Sequence, residues 1–331
     1  MTITLLYKMM YVNHFMKLIQ IGVASVILCA LLSVIRYLAM SQVFAVLFPV
    51  FSIILIGYLY GRWRPSDIGT VNRMNIDVFV PALVIDSLVA NDFDLMSYKW
   101  LVLAGLLVVL LSGVFAVMFA DTMKIDRAVF VPSMMFNNCG NMGLPIAVLA
   151  FGPNALPAAL VLFLASNTLH FTLGTRIVGG KISWIQLLTM PINMATIIGL
   201  TLSFTHVTVP ESVMLPIHML GQICIPLMLF TLGIRMLSVD LSAWRIGMYA
   251  AIVRPLAGLI PAIALIWVLP LDLVQQQQLL LFSILPPAVL NYMIAERYNK
   301  EPVNVASMVV VGNASSIITL FAMLYYLNNA A

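Results

Sequence analysis

Runs of about twenty apolar residues, separated by short polar breaks, fill most of this chain, and one helix needs about that many to cross a bilayer. The sequence has 331 residues, of which 63% are hydrophobic and 8% charged. Soluble domains carry about 25% charged residues, so the pattern predicts an all-α polytopic membrane protein. Ten spans can be delimited, at 41–60, 76–91, 99–120, 128–152, 154–175, 184–204, 213–236, 246–268, 275–297 and 303–328.

Residues 1–39 form an N-terminal extension with three open interpretations. Met16-Lys17 followed by the apolar run 18–35 is typical of a signal-peptide core or of an extra helix. A third interpretation is that the native chain starts at Met40. No functional prediction rests on this segment.

The loop charges predict the orientation of the spans. Basic residues concentrate in the loops that follow spans one, three, five, seven and nine, whereas the intervening loops carry only Lys99. By the positive-inside rule the basic loops face the cytoplasm, and we expect a multi-pass protein of a bacterial inner membrane. The basic residues are Arg62, Arg64, Arg73, Lys124, Arg127, Arg176, Lys181, Arg235, Arg245, Arg297 and Lys300.

Residue pairs at a fixed offset predict an internal repeat. An odd number of spans in each half makes the second half enter from the opposite side of the membrane, so the prediction is two inverted five-helix repeats, at 40–178 and 179–331. Inverted repeats are typical of secondary transporters, whose sites lie where broken helices meet. The pairs at an offset of 142 are Pro49 with Pro191, Gly57 with Gly199, and Pro145 with Pro287.

Spans four and nine contain residues that interrupt a helix. Proline removes a backbone donor, and non-helical backbone at membrane depth is tolerated only against protein or a water-filled cavity. Packing kinks between helices are the alternative explanation. If both helices break at mid-membrane, half-helices begin near Leu144–Pro145 and near Pro287, and their free N–H groups suit a carboxylate. The predicted substrate-binding residues are Asn137, Asn138, Gly140, Asn141, Gly143, Pro145, Pro286, Pro287 and Asn291.

These two spans also carry a family resemblance. The segments NNCGNMGLPIAVLAFG and ILPPAVLNYMIAERYN resemble the crossover helices four and nine of the auxin efflux carrier transporters, which include the plant PIN proteins. Further matches are MSQVFAVLFPVFSIILIGYLYGR at 40–62 and IPLMLFTLGIRM at 225–236. The plant Asn-Pro-Asn-Thr crossover is replaced here by Gly-Asn-Met-Gly-Leu-Pro, and spans five and six are joined by about eight residues, as in a compact bacterial member.

The resemblance implies a fold and an activity. Spans one, two, six and seven would form a scaffold, and the other spans a moving unit. The unit would export or exchange small organic anions, such as mono- or dicarboxylates, by an elevator-like motion. The departure from the plant crossover argues against auxin itself as the substrate.

Two charged residues lie well inside predicted spans, away from the span ends. Asp86 in span two is predicted to serve in coupling or charge balance, because a carboxylate inside a membrane span is by default expected to have a function. The alternative is that Asp86 has a structural role. Arg254 lies deep in span eight and is expected either to face an anion or to reach the cytoplasmic interface. Asn167 and Asn313 are possible cavity-lining residues, with ordinary interhelical hydrogen bonding as the alternative.

Other functional classes have little support in the sequence. Cys29, Cys139 and Cys224 are widely spaced, and no phosphate loop or metal-ligand motif occurs, so we expect no cofactor, no metal and no nucleic-acid partner. The expected partners are a small organic anion, the lipid bilayer and a coupling proton; a homodimer stays open. A sodium-coupled symporter resembling the bile-acid carriers is the alternative, with Gln222 and Thr231 as thin support. No acid pair or nucleophile–base pair indicates an enzyme.

Overall fold

Helices make up almost all of the structure, a computed structural model that describes residues 40–64, 67–90, 94–205, 207–237 and 242–330. Within these ranges no β-strand occurs. The segment 1–39, with its three interpretations, lies outside the described residues. The all-α prediction is confirmed for the described part of the chain.

Twelve helices of at least nine residues carry the fold in the described part of the chain. In the first part of the chain they are α1 (Met40–Trp63), α2 (Ile68–Val89), α3 (Lys99–Met123), α4 (Arg127–Met135), α5 (Cys139–Phe151) and α6 (Pro153–Ile177). In the second part they are α7 (Pro191–Thr205), α8 (Glu211–Arg235), α9 (Trp244–Val268), α10 (Leu273–Ile284), α11 (Val289–Arg297) and α12 (Pro302–Asn329).

Seven of the described helices are long and apolar enough to cross a membrane: α1, α2, α3, α6, α8, α9 and α12. The predicted spans four, six and nine correspond to shorter helices, namely the α4–α5 pair, α7 and the α10–α11 pair. Seven spans establish an integral multi-pass membrane protein.

Local sequence explains why the two helix pairs are broken. Phe136 ends α4 in an extended conformation, with φ −104° and ψ 119°. Leu285 ends α10 at φ −58° and ψ 144°, as expected for a residue that precedes proline. Pro286 and Pro287 then lack the N–H groups that a continuing helix would need.

The structure corrects two predicted boundaries. The helix α2 begins at Ile68 rather than at residue 76, because its polar first half faces a cavity instead of forming a loop. The helix α5 begins at Cys139, ahead of the predicted start near Leu144–Pro145. Pro145 therefore lies buried within α5 and not at its N-terminus.

The helices pack into two groups. In the first, α1 contacts α8 where Gly57 lies against the Phe230 backbone and Gly233 against the Ile54 backbone. In the same group, α7 packs on α2, with Gly199 against Leu88. The second group contains α3, α6, α9 and α12 together with the broken pairs, and the strongest packing within it joins α9 to α12. Contacts from α5 to α8 and from α6 to α2 join the two groups.

Candidate functional site

The two helix breaks cross each other and form hydrogen bonds across the crossing. Asn137 and Pro287 form an isolated antiparallel bridge. The N–H of Asn138 donates to the carbonyl of Pro286 at 2.7 Å, and the N–H of Ala288 donates to the carbonyl of Phe136 at 3.0 Å. Two extended segments thus satisfy each other's backbone groups in a region where water is scarce.

The residues that meet at the crossing are not the two that the offset of 142 aligns. The offset of 142 aligns Pro145 with Pro287, but the residue that the structure pairs with Pro287 is Asn137. Prolines are common in membrane helices for several reasons, so their spacing did not identify the paired residues.

Buried asparagine side chains hold the crossing together. Asn138 Nδ2 donates to Asn313 Oδ1 at 2.8 Å, and Asn313 Nδ2 donates to the carbonyl of Pro287 at 3.0 Å. Asn137 Nδ2 donates to the carbonyl of Phe282 at 2.6 Å, and Asn291 Nδ2 to that of Phe136 at 3.1 Å. These amides replace the intrahelical partners that the carbonyls lose at the breaks.

A cavity of about 210 Å³ opens beside the crossing, and we call it the crossover cavity. Its walls come from α2, α5, α6, α8 and α11 and from the two breaks. This volume lies below the range of about 300–1,000 Å³ for drug-sized ligands, so the cavity suits a small molecule. Its polar or charged lining residues are Asn72, Asn75, Asn137, Asn138, Asn141, Ser166, Asn167, His170 and Arg235.

The lining favours an anion. Arg235 is its one cation, and none of the described residues that line it is a carboxylate. The N-terminus of α5 adds a partial positive charge. Within its first turn, the carbonyl of Asn138 accepts hydrogen bonds from the N–H groups of Met142 and Gly143. The preceding N–H groups, including those of Gly140 and Asn141, are at the helix N-terminus, where anions are stabilised.

His170 contributes a polar atom without a partner. Its ring stacks on Phe136, with centroids 4.2 Å apart and planes inclined by 6°. The side chain of Asn291 lies beside the imidazole, yet neither His170 Nε2 nor Asn291 Oδ1 makes a hydrogen bond. Buried polar atoms usually find a partner, so an unpaired ring nitrogen in a cavity lining is a candidate ligand contact.

Arg254 lies behind the crossing rather than in the cavity. Its side chain is 1% exposed, and Nη1 donates to the carbonyl of Ser283 at 3.3 Å. Ser283 belongs to the last turn of α10, where the helix dipole is negative. The structure therefore excludes the predicted extension of Arg254 to the interface and places its charge at the end of the broken helix.

Asp86 lies away from the crossover cavity. Its Oδ2 is 2.8 Å from Nδ1 of His218, whose Nε2 is 2.6 Å from Nε2 of Gln222. Asp86 and His218 line a separate groove of about 550 Å³ between the ends of α2 and α7 and the start of α8. Asn75 and Asp86 are eleven positions apart on one helix, which corresponds to roughly 16 Å.

The predicted substrate-binding residues divide into two sets. Asn137, Asn138, Gly140 and Asn141 line the crossover cavity, as does Asn167. Of the others, Gly143 faces a small void between α5 and α10, and Pro286, Pro287 and Asn291 contribute hydrogen bonds at the crossing. Asn313 supports Asn138 and lines a neighbouring cavity.

Sequence reasoning missed several lining residues. Arg235 was assigned to a loop, although it ends the apolar run of span seven. Asn72 and Asn75 fall on one face of α2, since residues three apart are neighbours on a helix. That spacing was the available indication. It was missed because the region was interpreted as a loop.

Gln222 and Thr231, which were named for the symporter alternative, do not line the crossover cavity. Gln222 contacts His218, and Thr231 Oγ1 donates to the carbonyl of Leu227 at 2.8 Å within α8. No group of three or more potential metal ligands occurs among the described residues.

Comparison with known proteins gives two findings. The sequence model of the family described as "Membrane transport protein" matches residues 42–179 and 175–324. A "Putative malonate transporter" of Rhizobium meliloti (strain 1021) is 23% identical over 325 residues, covering 88% of this chain and 98% of that protein.

Proposed function

The chain belongs to the membrane transport protein family, that of the auxin efflux carriers, and on this premise we propose that it is a secondary transporter of small organic anions. The proposed substrates are mono- or dicarboxylates, carried across a bacterial inner membrane by an elevator-like alternating-access mechanism. The name of the relative, a putative malonate transporter, agrees with this class of substrate.

The composition of the crossover cavity carries the proposal. Six asparagine residues and one arginine line it, and no carboxylate does among the described residues. A carboxylate entering this cavity finds amide donors, a guanidinium and the N-terminus of α5. A cation would meet the same positive pole and no opposite charge.

The proposed architecture has ten transmembrane segments in two inverted repeats of five. The segments four and nine are the broken pairs α4–α5 and α10–α11, and α7 is segment six. The helices α1, α2, α7 and α8 form the scaffold, and the other helices move as one unit that carries the crossing. The packing of α1 on α8 and of α7 on α2 supports this division.

The proposed coupling residue is Asp86, together with His218. A carboxylate and an imidazole 2.8 Å apart can share or exchange a proton. Glu211 lines the same groove. Because Asp86 lies on α2 and away from the crossover cavity, the proposed proton is taken up by the scaffold and not at the substrate.

Ligand binding tests the proposal directly. The purified protein is screened in detergent against a panel of organic acids and organic cations of similar size, and the melting temperature is recorded. We expect small carboxylates to raise the melting temperature, because a ligand that binds only the folded state stabilises it. A response to organic cations alone would contradict the proposal.

A sodium-coupled symporter is a second candidate. The observation in its favour is that Asn75 Oδ1, Asn137 Oδ1 and Asn291 Oδ1 are buried without hydrogen bonds, since hard cations prefer oxygen ligands. Anion transport into proteoliposomes that follows an imposed sodium gradient and ignores a pH gradient would favour this candidate.

A further inference from the structure

A second cavity of about 240 Å³ adjoins the crossover cavity, and we call it the vestibule. The two share Arg235, Val289 and Met293 in their linings. The vestibule is bordered by the start of α2 at Ile68 and the end of α8. In the proposed orientation this end faces the cytoplasm, so the vestibule leads from the cytoplasm to the crossing.

A hydrogen bond between Arg235 and Met293 lies where the two linings meet. Arg235 Nη1 donates to Met293 Sδ at 3.3 Å, which joins α8 of the scaffold to α11 of the proposed moving unit. A thioether sulfur is a weak acceptor, whereas a carboxylate accepts two charge-assisted hydrogen bonds from one guanidinium. An organic anion is therefore a stronger acceptor for this guanidinium than the sulfur is.

The charges around Arg235 define which side of it attracts an anion. In the vestibule lining lies Glu296, whose Oε1 accepts a hydrogen bond from the Tyr292 hydroxyl at 2.8 Å. A carboxylate at this position disfavours an anion that stays in the vestibule, so an entering anion passes through the vestibule without binding there. The crossover cavity has no described carboxylate in its lining, so an anion bound to Arg235 is most stable on that side.

We propose that Arg235 is the residue that binds the substrate carboxylate as it enters the crossover cavity from the vestibule. This inference rests on the proposed function. Because α8 belongs to the scaffold, Arg235 does not move with the crossing. Arg235 therefore binds the anion while the crossing is open to the vestibule. The anion separates from Arg235 when the unit moves.

The test compares two arginine variants in the full-length protein. Malonate is the probe, and its dissociation constant is measured by calorimetry for wild type, Arg235→Gln and Arg245→Gln. Arg245 is an exposed arginine that stacks on Trp244 and is outside both linings. We expect Arg235→Gln to raise the dissociation constant at least about tenfold, as for a lost hydrogen bond to a charged group, and Arg245→Gln to leave it within about twofold.

Two further variants separate ligand binding from a structural role. Met293→Leu removes the sulfur and keeps the volume, so we expect it to change the dissociation constant much less than Arg235→Gln does. If Met293→Leu weakens binding as much as Arg235→Gln does, Arg235 acts through its contact with α11 and the inference is wrong. If Arg235→Gln does not fold, Arg235→Cys labelled with an aminoethyl thiosulfonate returns the positive charge and should restore binding; labelled protein without binding would overturn the inference.

The outcomes also distinguish this inference from the proposed function. A wild-type protein that binds neither malonate nor any other carboxylate of the panel contradicts the proposed function. A wild-type protein that binds malonate, with an Arg235→Gln variant of equal affinity, contradicts only the role of Arg235.

Discussion

At the scale of single residues, the crossover cavity is lined mainly by neutral amides, whereas an anion site in a soluble protein would carry several cations. Asn141 lines the crossover cavity at the N-terminus of α5, and its side chain is partly exposed. Amides donate hydrogen bonds without adding a charge that would have to move with the proposed moving unit. Each further charged side chain in the lining would add the free-energy cost of burying a charge in the bilayer.

Removal of the side-chain amide of Asn141 is expected to weaken substrate binding and to leave insertion of the protein into the membrane unchanged. We predict that Asn141→Ala raises the dissociation constant for a bound organic acid about tenfold, the effect of losing one hydrogen bond to a charged group. Asn154→Ala, at an exposed asparagine outside the cavity, is the control and should bind as wild type does. Wild-type affinity in Asn141→Ala would show that this part of α5 does not contact the substrate.

The pair of Asp86 and His218 is expected to carry the pH response. Asp86→Asn keeps the shape and fixes a neutral side chain, so substrate should still bind in the separate crossover cavity. Transport driven by an imposed pH gradient in proteoliposomes should be lost, in Asp86→Asn and in His218→Gln alike. A variant with unaltered rate and pH response would reduce the pair to a structural contact.

At the scale of helices, the crossing depends on the absence of a side chain at Gly143. A Cβ atom there would lie 2.8 Å from Leu285 Cδ1, which is the flexible end of a side chain. We predict that Gly143→Leu abolishes transport because it forces the two breaks apart, whereas Gly143→Ala is partly active. Leu285→Ala should partly restore the Gly143→Leu protein, as expected for two residues in contact. Normal transport by Gly143→Leu would contradict the close crossing.

The scaffold depends on a contact between backbones. A Cβ atom at Gly233 would overlap the carbonyl oxygen of Ile54 and lie 2.7 Å from the nitrogen of Tyr58, and neither backbone atom can move aside alone. We predict that Gly233→Ala lowers the melting temperature by several degrees, because overpacking costs about 1–3 kcal/mol. Malonate should still raise the melting temperature of the variant if it folds. An unchanged melting temperature would show that α1 and α8 do not pack this closely.

The helix pattern could be predicted from the sequence, but the contacts between helices could not. Apolar run lengths located α3, α8, α9 and α12 within a few residues, since a span must be apolar along its length. Asn137, Asn138 and Asn141 were found because polar and helix-breaking residues are costly within a span. Asn72, Asn75 and Arg235 were missed, because polar residues near a span end are equally typical of a loop. The pairing of Asn137 with Pro287 depends on the tertiary fold.

At the scale of the whole molecule, the proposed movement takes place between the two helix groups. The buried crossing belongs to the group with α9 and α12, and Arg235 and Asn72 reach its cavity from the other group. A site shared between two packed bodies can change its access when one body shifts. Because the crossover cavity is small, this proposed movement would carry only small anions.

Exchange of labelled malonate across proteoliposome membranes tests the anion site of the crossing most directly. Asn141→Asp replaces an amide by a carboxylate of equal size in the cavity lining, and Asn154→Asp makes the same change outside it. We expect saturable exchange by wild type and Asn154→Asp. In Asn141→Asp the exchange should fall at least about a hundredfold, because like charges a few ångströms apart repel strongly away from water. Equal exchange by Asn141→Asp and wild type would contradict an anion site at the crossing.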